Sequence, residues 1–349
     1  MAGLSLEPTE CGGVRIATLH REQLPSALYG LLQVLFYDDL EESSTRFVSI
    51  TCQQQMLTLI ADGPRLERVP GLAIGETEWA VLRVDGVLDT VGALASLTSP
   101  LALAKIPVFH LSTYDSEFVL VPRERLSDAL GCFAPPAPPK ARRSGSRDAS
   151  ALAASAPAPA VAADAGADAA STSHTHSYPT HSYPLEILAA HPTTILRLQR
   201  SYEHLHVGAL LRLLFFQEAG DEPQAVVSLT WSPDNELSII TGVTAWWAEH
   251  CASSPRGLSG VHQEEMVPIS LVAPLDATGV VAATASVLAG CQISILGCST
   301  LSGEGMATDF TLVPISQVDE ARRAFVEAGF NLVDGSRSPG AEEDEGRGS

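Results

Sequence analysis

Two stretches of the chain, 187 residues apart, are versions of one unit. Residues 88–113 read LDTVGALASLTSPLALAKIPVFHLST, and residues 275–300 read LDATGVVAATASVLAGCQISILGCST. They align without a gap. Leu88, Asp89, Gly92, Ala95, Ser99, Leu101, Ala102, Ile106, Ser112 and Thr113 recur as Leu275, Asp276, Gly279, Ala282, Ser286, Leu288, Ala289, Ile293, Ser299 and Thr300. Each copy reads as a turn, a helix and a strand. In the second copy Asp276 stands where a helix N-cap belongs, three residues before Gly279. Val280 to Leu288 supply a small-residue apolar helix, Gly290 marks its stop, and Ile293 to Leu296 read as a buried strand. A helix start behind a tight turn leaves backbone N–H groups pointing outward, a setting that attracts carboxylates and phosphates.

The repetition extends beyond this unit. LLRLLFF (210–216) matches LLQVLFY (31–37), and AVVSLT (225–230) matches RFVSIT (46–51), both at an offset of 179. Leu237 to Ile240 matches Leu57 to Ile60, and DFTLVP (309–314) matches EFVLVP (117–122) at an offset of 192. The chain therefore reads as one duplication, with insertions falling between elements as loops do. The first half contains a strand from Val14 to His20 and a helix from Leu24 to Phe36 opened by Pro25. A hairpin of Phe47–Cys52 and Met56–Ala61 follows, and then a strand from Trp79 to Val84. After the repeated unit come a strand from Phe118 to Val121 and a helix from Arg123 to Phe133. The order β-α-β-β, β-α-β-β-α predicts an α+β fold of ferredoxin-like modules, with helices on one face of an antiparallel sheet. The second half begins again at Ile195 and closes with a helix from Gln317 to Gly329. The predicted domains are 14–133 and 195–332. Between them lies a disordered linker over 134–184, rich in Ala, Pro, Ser and His, and an acidic disordered tail follows over 335–349.

Composition restricts the function. The 349 residues carry a net charge of −20, which argues against a nucleic-acid backbone or an anionic membrane as the main partner. The six cysteines form no C-x-x-C pair, so they read as reduced, mostly buried thiols of the cytoplasm, with no zinc ribbon. MAGLSLEPTE has neither the basic region nor the apolar core of a signal peptide. Residues 277–303 carry no charge and are long enough to span a bilayer. Their Ala, Ser, Thr, Gly and Cys content, and Lys105 and Pro107 in the earlier copy, favour a buried αβ core over a membrane span. In the linker, Lys140, Arg142, Arg143 and Arg147 flank Ser144 and Ser146, either a kinase or docking element or plain solvated chain. His174, His176 and His181 have the spacing of a weak metal site but read as polar linker, so no metal and no cofactor is expected.

No catalytic constellation is present: there is no G-x-S-x-G elbow, no P-loop and no H-E-x-x-H. The pairs Asp234/Glu236 and Glu264/Glu265 lie in polar connections and read as solvated surface. His110, inside IPVFHLST, reads as a packed core or rim histidine, and Trp79, Trp231, Trp246 and Trp247 as packing residues. The expectation is a non-enzyme that binds. The turn from Asp276 to Gly279 offers amides to a carboxylate, Gly279 admits a ligand close to the backbone, and Asp309 is placed to pair with a cationic end.

Asp-x-x-Gly before an apolar helix, a strand ending Ser-Thr, and then [Asp/Glu]-Phe-x-Leu-Val resembles the ACT domain, especially the ACT pair at the end of aspartokinases. The full layout is similar to the CASTOR family of cytosolic arginine sensors of the TOR pathway, which have two halves, each with a pair of ACT modules. HLSTYDSEFVLVPRERL (110–126) is the most specific match, supported by LDATGVVA (275–282) and DFTLVP (309–314). The resemblance covers roughly 14–133 and 195–332. It implies an amino-acid ligand between the second and fourth modules and docking to a signalling protein complex. Pro107 and Val108 would border one side, and Pro274, Gly279, Val280 and Val281 the other, with helix-start amides on the ligand carboxylate. Thr300, Leu301 and Asp309 would close over the side chain, Asp309 facing a guanidinium. This chain departs from the animal sensors in three ways: Pro107 stands for a serine, Pro274 for a glycine, and the 301–308 connection is longer. Two other readings share the same features: a regulatory subunit of an amino-acid biosynthetic enzyme such as an aspartokinase, and an interaction module without a ligand. A homodimer through sheet edges or helices is left open.

Overall fold

The computed structural model describes residues 5–37, 47–53, 55–85, 91–133, 182–216, 226–233, 236–242, 257–259, 265–303 and 305–333. The basic cluster, the three linker histidines, the acidic 38–44 stretch, the tail, Leu88, Asp89, Asp234, Glu264, Trp246, Trp247 and Cys251 lie outside the described residues.

The first part of the chain runs β1 (Ser5–His20), α1 (Leu24–Leu32), β2 (Val48–Gln53), β3 (Met56–Ala61), α2 (Gly63–Leu66), β4 (Ala73–Ile74) and β5 (Trp79–Asp85). It continues through α3 (Ala93–Leu103), β6 (Phe109–Ser112), β7 (Glu117–Pro122) and α4 (Leu126–Gly131). The second part runs β8 (Pro184–Ile187), β9 (Thr193–Gln199), α5 (Glu203–Phe215), β10 (Val227–Ser232), β11 (Glu236–Gly242) and β12 (Leu258–Ser259). It closes with β13 (Met266–Pro274), α6 (Val280–Gly290), β14 (Leu296–Gly303), β15 (Met306–Pro314), α7 (Val318–Glu327) and β16 (Asn331–Val333).

The local choices are physical. Leu24, Ala27, Leu31, Val34 and Leu35 are buried along one stripe of α1 and the π-helical turn that extends it to Tyr37, and Pro25 occupies the first turn, where no amide partner is lost. Asp62 caps α2 by accepting the Arg65 amide at 3.0 Å. Val318, Ala321, Ala324 and Phe325 form the buried face of α7, while Asp319 and Glu320 in its first turn suit the positive end of the helix dipole.

The strand order of the first part, β2-β3-β1-β5-β7-β6, recurs in the second as β10-β11-β9-β13-β15-β14. The two rows join at both ends, β2 to β10 and β6 to β14, so twelve strands form a closed ring. β1 pairs with β5 through Ser5–Pro8 and again through Gly13–Val14, around an irregularity between them. In the second row that pairing is divided between β8 and β9, with Leu185 opposite Leu271 and Thr193 opposite Met266. Along β5 and β7 the residues alternate. Trp79, Val81, Phe118 and Leu120 face a core built by both rows, together with Ile195, Ile240, Phe310 and Leu312. Ala80, Leu82, Val119 and Val121 face α3 instead, joined by Val281 and Ala285 of α6. The helices therefore sit outside the ring, and α3 packs on α6.

Several expectations need correction. The modules do not end in separate sheets; their edge strands pair into one closed ring. β1 starts at Ser5 rather than Val14, and the second row starts at Pro184 rather than Ile195. Asp276 does not cap α6. Gly279 does, at φ +86°, without a side-chain bond, just as Gly92 precedes α3 at φ +82°. Gly290 is the last helical residue, and the chain turns at Gln292 (φ +58°), as it does at Lys105 (φ +54°) in the earlier copy. The strand starts at Leu296, not Ile293. The 301–308 stretch is not a long loop: β14 and β15 run on, pairing Leu301 with Ala307 and Gly303 with Met306. Trp79 and Trp231 are buried as expected.

Candidate binding site

β6 and β14 meet through one residue pair in register, Leu111 with Cys298. Serine hydroxyls replace the missing ladder. Ser112 Oγ accepts the Gly297 amide at 2.7 Å, and Ser299 Oγ accepts the His110 amide at 3.1 Å. These bonds are related by the 187-residue offset, which carries His110 to Gly297 and Ser112 to Ser299. Each serine also gives its proton to a carboxylate of its own row. Ser112 Oγ lies 2.7 and 2.9 Å from the two Glu117 oxygens, and Ser299 Oγ lies 2.9 Å from Asp309 Oδ1. His110, fully buried, places Nε2 2.6 Å from Glu117 Oε2. Gly297 makes room for that ring: a Cβ there would lie 2.6 Å from Nδ1. His110 Nδ1 has no partner among the described residues.

Two residues beyond each serine, the same symmetry holds. The Leu301 amide donates to Thr58 Oγ1 of β3 at 3.0 Å, and the Tyr114 amide donates to Ser238 Oγ of β11 at 3.0 Å. Thr300 Oγ1 adds a bond to Thr58 Oγ1 at 2.7 Å. Each row thus sends the end of a strand across to the other row's hairpin.

The residues singled out from sequence fall into three environments. Val281 lies in the core between α3, α6 and the first row, against which the partly buried Val108 packs, while Val280 turns into the core under α7. Pro107 and Pro274 are half-buried at the mouth of the seam. There the Leu275 amide bonds to the Gly305 carbonyl at 2.8 Å and the Ala277 amide to the Pro274 carbonyl at 2.9 Å. Thr300 and Asp309 are buried, and Leu301 packs on the ring interior. Asp309 is engaged with Ser299; burial pushes its carboxyl above the usual range, while the His110 charge and the Ser299 bond pull it back. A cleft of ≈490 Å³ opens at the mouth, lined by Trp79, Pro107 and Glu124 from the first row and Leu275, Asp276 and Gly305 from the second. At the matching start of α3, Gly92, Glu117 and Ile295 help enclose only ≈20 Å³, room for a single water.

Other chemistry finds little support. Burial raises the thiols of Cys52 to about 12 and Cys298 to about 11, so both stay protonated. Among the described residues no group of three or more His, Cys, Asp or Glu is placed to hold a metal, and no helix is long and apolar enough to cross a membrane. The recurring Ser-Thr pairs stand out in the sequence, but the sequence alone assigns them no role. Their recurrence at one offset, each serine two residues after His110 or Gly297 and each pair followed by a carboxylate that leads Phe-x-Leu-Val-Pro, Glu117 or Asp309, was the available signal.

A family model described as an ACT domain matches residues 74–133. The protein named cytosolic arginine sensor for mTORC1 subunit 1 is 26% identical in Homo sapiens over 133 residues, and 27% identical in Bos taurus over 133 residues. Each match spans 33% of this chain and 40% of the relative's length. Among solved structures, aspartate kinase from Synechocystis is similar at a TM-score of 0.33 and 10% identity, over 94% of this chain and 55% of that one.

Proposed function

We propose that the chain is a non-enzymatic, cytosolic amino-acid sensor built from two homologous halves, 14–133 and 195–332, each a pair of ACT modules. In this reading an α-amino acid binds where α6 begins. The amides of Val280, Val281 and Ala282, which have no intrahelical acceptor, take its carboxylate. Pro107 and Val108 form the facing wall, Pro274 and Gly279 the near one, and Thr300, Leu301 and Asp309 bound the side chain. A guanidinium reaching Asp309 has to contend with the Ser299 hydroxyl already bonded there. The observation that carries the reading is the helix start itself. Gly279 caps α6 and has no side chain to bond its amides, and Val281 of the first turn belongs to the buried cluster against which Val108 packs. The ACT match over 74–133 and the arginine-sensor name of the relatives agree with it.

Ligand contacts on both halves favour the state in which the seam is closed around the ligand, and so change the face offered to a TOR-pathway regulatory complex. Isothermal titration against the twenty amino acids tests the first step: saturable binding of at least one is expected, and heat-silent titrations throughout overturn it. Affinity capture then separates a signalling complex from a biosynthetic enzyme as the partner.

A further inference from the structure

The ≈490 Å³ cleft at the mouth of the seam carries charge of one sign. Trp79, Pro107 and Pro122 of the first row and Leu275 of the second give it an apolar lining. Glu124 of the first row and Asp276 of the second add one carboxylate each, and among the described residues no lysine, arginine or histidine lines it. The cations next to it in sequence are engaged elsewhere. Arg123 Nη1 lies 2.6 Å from Glu78 Oε1, and Arg125 Nε lies 2.8 Å from Asp128 Oδ2. Among the described residues neither Glu124 nor Asp276 has an ion-pair partner. Two amides of the second-row wall are also used: Leu275 donates to the Gly305 carbonyl and Ala277 to that of Pro274. A carboxylate entering this cleft would meet two like charges and no cation. A cation with an apolar body meets the reverse. The apolar wall is fixed, because the Trp79 ring is buried against Phe109 with centroids 6.3 Å apart.

We propose that the cleft binds an organic dication that lacks a carboxylate, an aliphatic α,ω-diamine. One ammonium pairs with Glu124 and the other with Asp276, while the methylene stem lies along Trp79, Pro107 and Leu275. The volume is that of a small-molecule site, and each methylene taken out of water adds to binding. The same chemistry turns away α-amino acids: lysine has the stem and the ammonium, but brings a carboxylate to a wall that is already negative. None of the free amides at the start of α6 lines the cleft, so this proposal stands apart from the amino-acid site above, with Pro107 bordering both. The two carboxylates belong to different rows. A bound diamine therefore ties the rows together beside the closure where β6 and β14 share a single residue pair.

Isothermal titration of the full chain with cadaverine, n-pentylamine and L-lysine tests the site. Cadaverine is expected to saturate at one per chain and to weaken as sodium chloride is raised. Glu124→Gln and Asp276→Asn, both at exposed positions, should each weaken it about two- to fivefold, the loss of one exposed ion pair. With one charge, n-pentylamine should bind the wild type no better than cadaverine binds either variant. Glu320→Gln removes an exposed charge from α7, away from the cleft, and should leave cadaverine binding unchanged. Any binding of L-lysine should be indifferent to Glu124→Gln. Three results overturn the proposal: no saturable binding of cadaverine, n-pentylamine binding as tightly as cadaverine, or an equal loss in Glu320→Gln, the mark of counter-ions gathered by a net charge of −20. A lysine titration as sensitive to Glu124→Gln as that of cadaverine overturns the exclusion of carboxylates. Calorimetry in which cadaverine binds and no amino acid does removes the site proposed above and leaves this one standing.

Discussion

The ring closes on itself twice, and the two closures are made of different material. Between β2 and β10, five successive residue pairs run from Val48↔Trp231 to Cys52↔Val227. Ser49–Thr230 and Thr51–Ser228 add hydroxyl pairs at 2.9 Å on one face. Ile50 and Leu229, both fully buried, fill the other face beneath α1 and α5. Between β6 and β14 there is one residue pair and two serine–amide bonds. A ladder backed by an apolar core opens only when much of the molecule opens. A join made of a few oriented side chains opens locally at far lower free energy. Matching strands can therefore serve one end of a molecule as a spine and the other as a moving part, depending on what their side chains touch.

Three measurements press on this contrast. Ile50→Ala cuts into the broad closure and is expected to lower the unfolding free energy by about 2–5 kcal/mol in chemical denaturation, with amide protection falling across both rows together. Loss confined to the strands around β2 would end the idea of a spine. Gly297→Ala attacks the narrow closure by driving a Cβ to 2.6 Å from His110 Nδ1, and about 1–3 kcal/mol of overpacking is expected. Gly290→Ala, where a Cβ meets nothing within 4 Å, serves as the control. Equal denaturation midpoints for the two variants would mean that the His110 pocket yields easily.

The smallest effect expected is in the pH dependence of Asp309→Asn. Burial raises the folded-state pKa of Asp309 above its ordinary 3.8, so the folded protein holds this proton more tightly than the unfolded chain does. That stabilising contribution is complete below the ordinary value and is lost as pH climbs from there through the raised one. The asparagine side chain of the variant does not titrate, so wild type should lose stability relative to it across that window in melts recorded at stepped pH. Parallel curves would place Asp309 in a wetter setting than its neighbours imply.

The repeat, the hairpins and both helices of the recurring unit were legible because period-2 and period-3.6 patterns identify faces. Ring closure was not, because a pattern names a strand's buried face and not the strand beside it. Asp276 ahead of Gly279 imitated a cap, but the left-handed Gly279 turns the chain before the aspartate can reach the helix amides. Asp309 read as a group at the start of a strand, after a polar loop, placed to pair with a cationic ligand end. Its burial follows from β14 and β15 running on through that loop, a consequence of pairing that no local signal carries. Ser299 and Ser112 stood out as repeated residues, but they acquire a role only once two distant strands face each other.

Both closures join parts of one polypeptide. Among the described residues, the strands left at the margins of the sheet are β4, β12 and β16, two or three residues each, too short to recruit a neighbour's backbone. What two identical subunits achieve only by meeting in solution, this molecule achieves by tethering, so dilution alone does not take its paired rows apart.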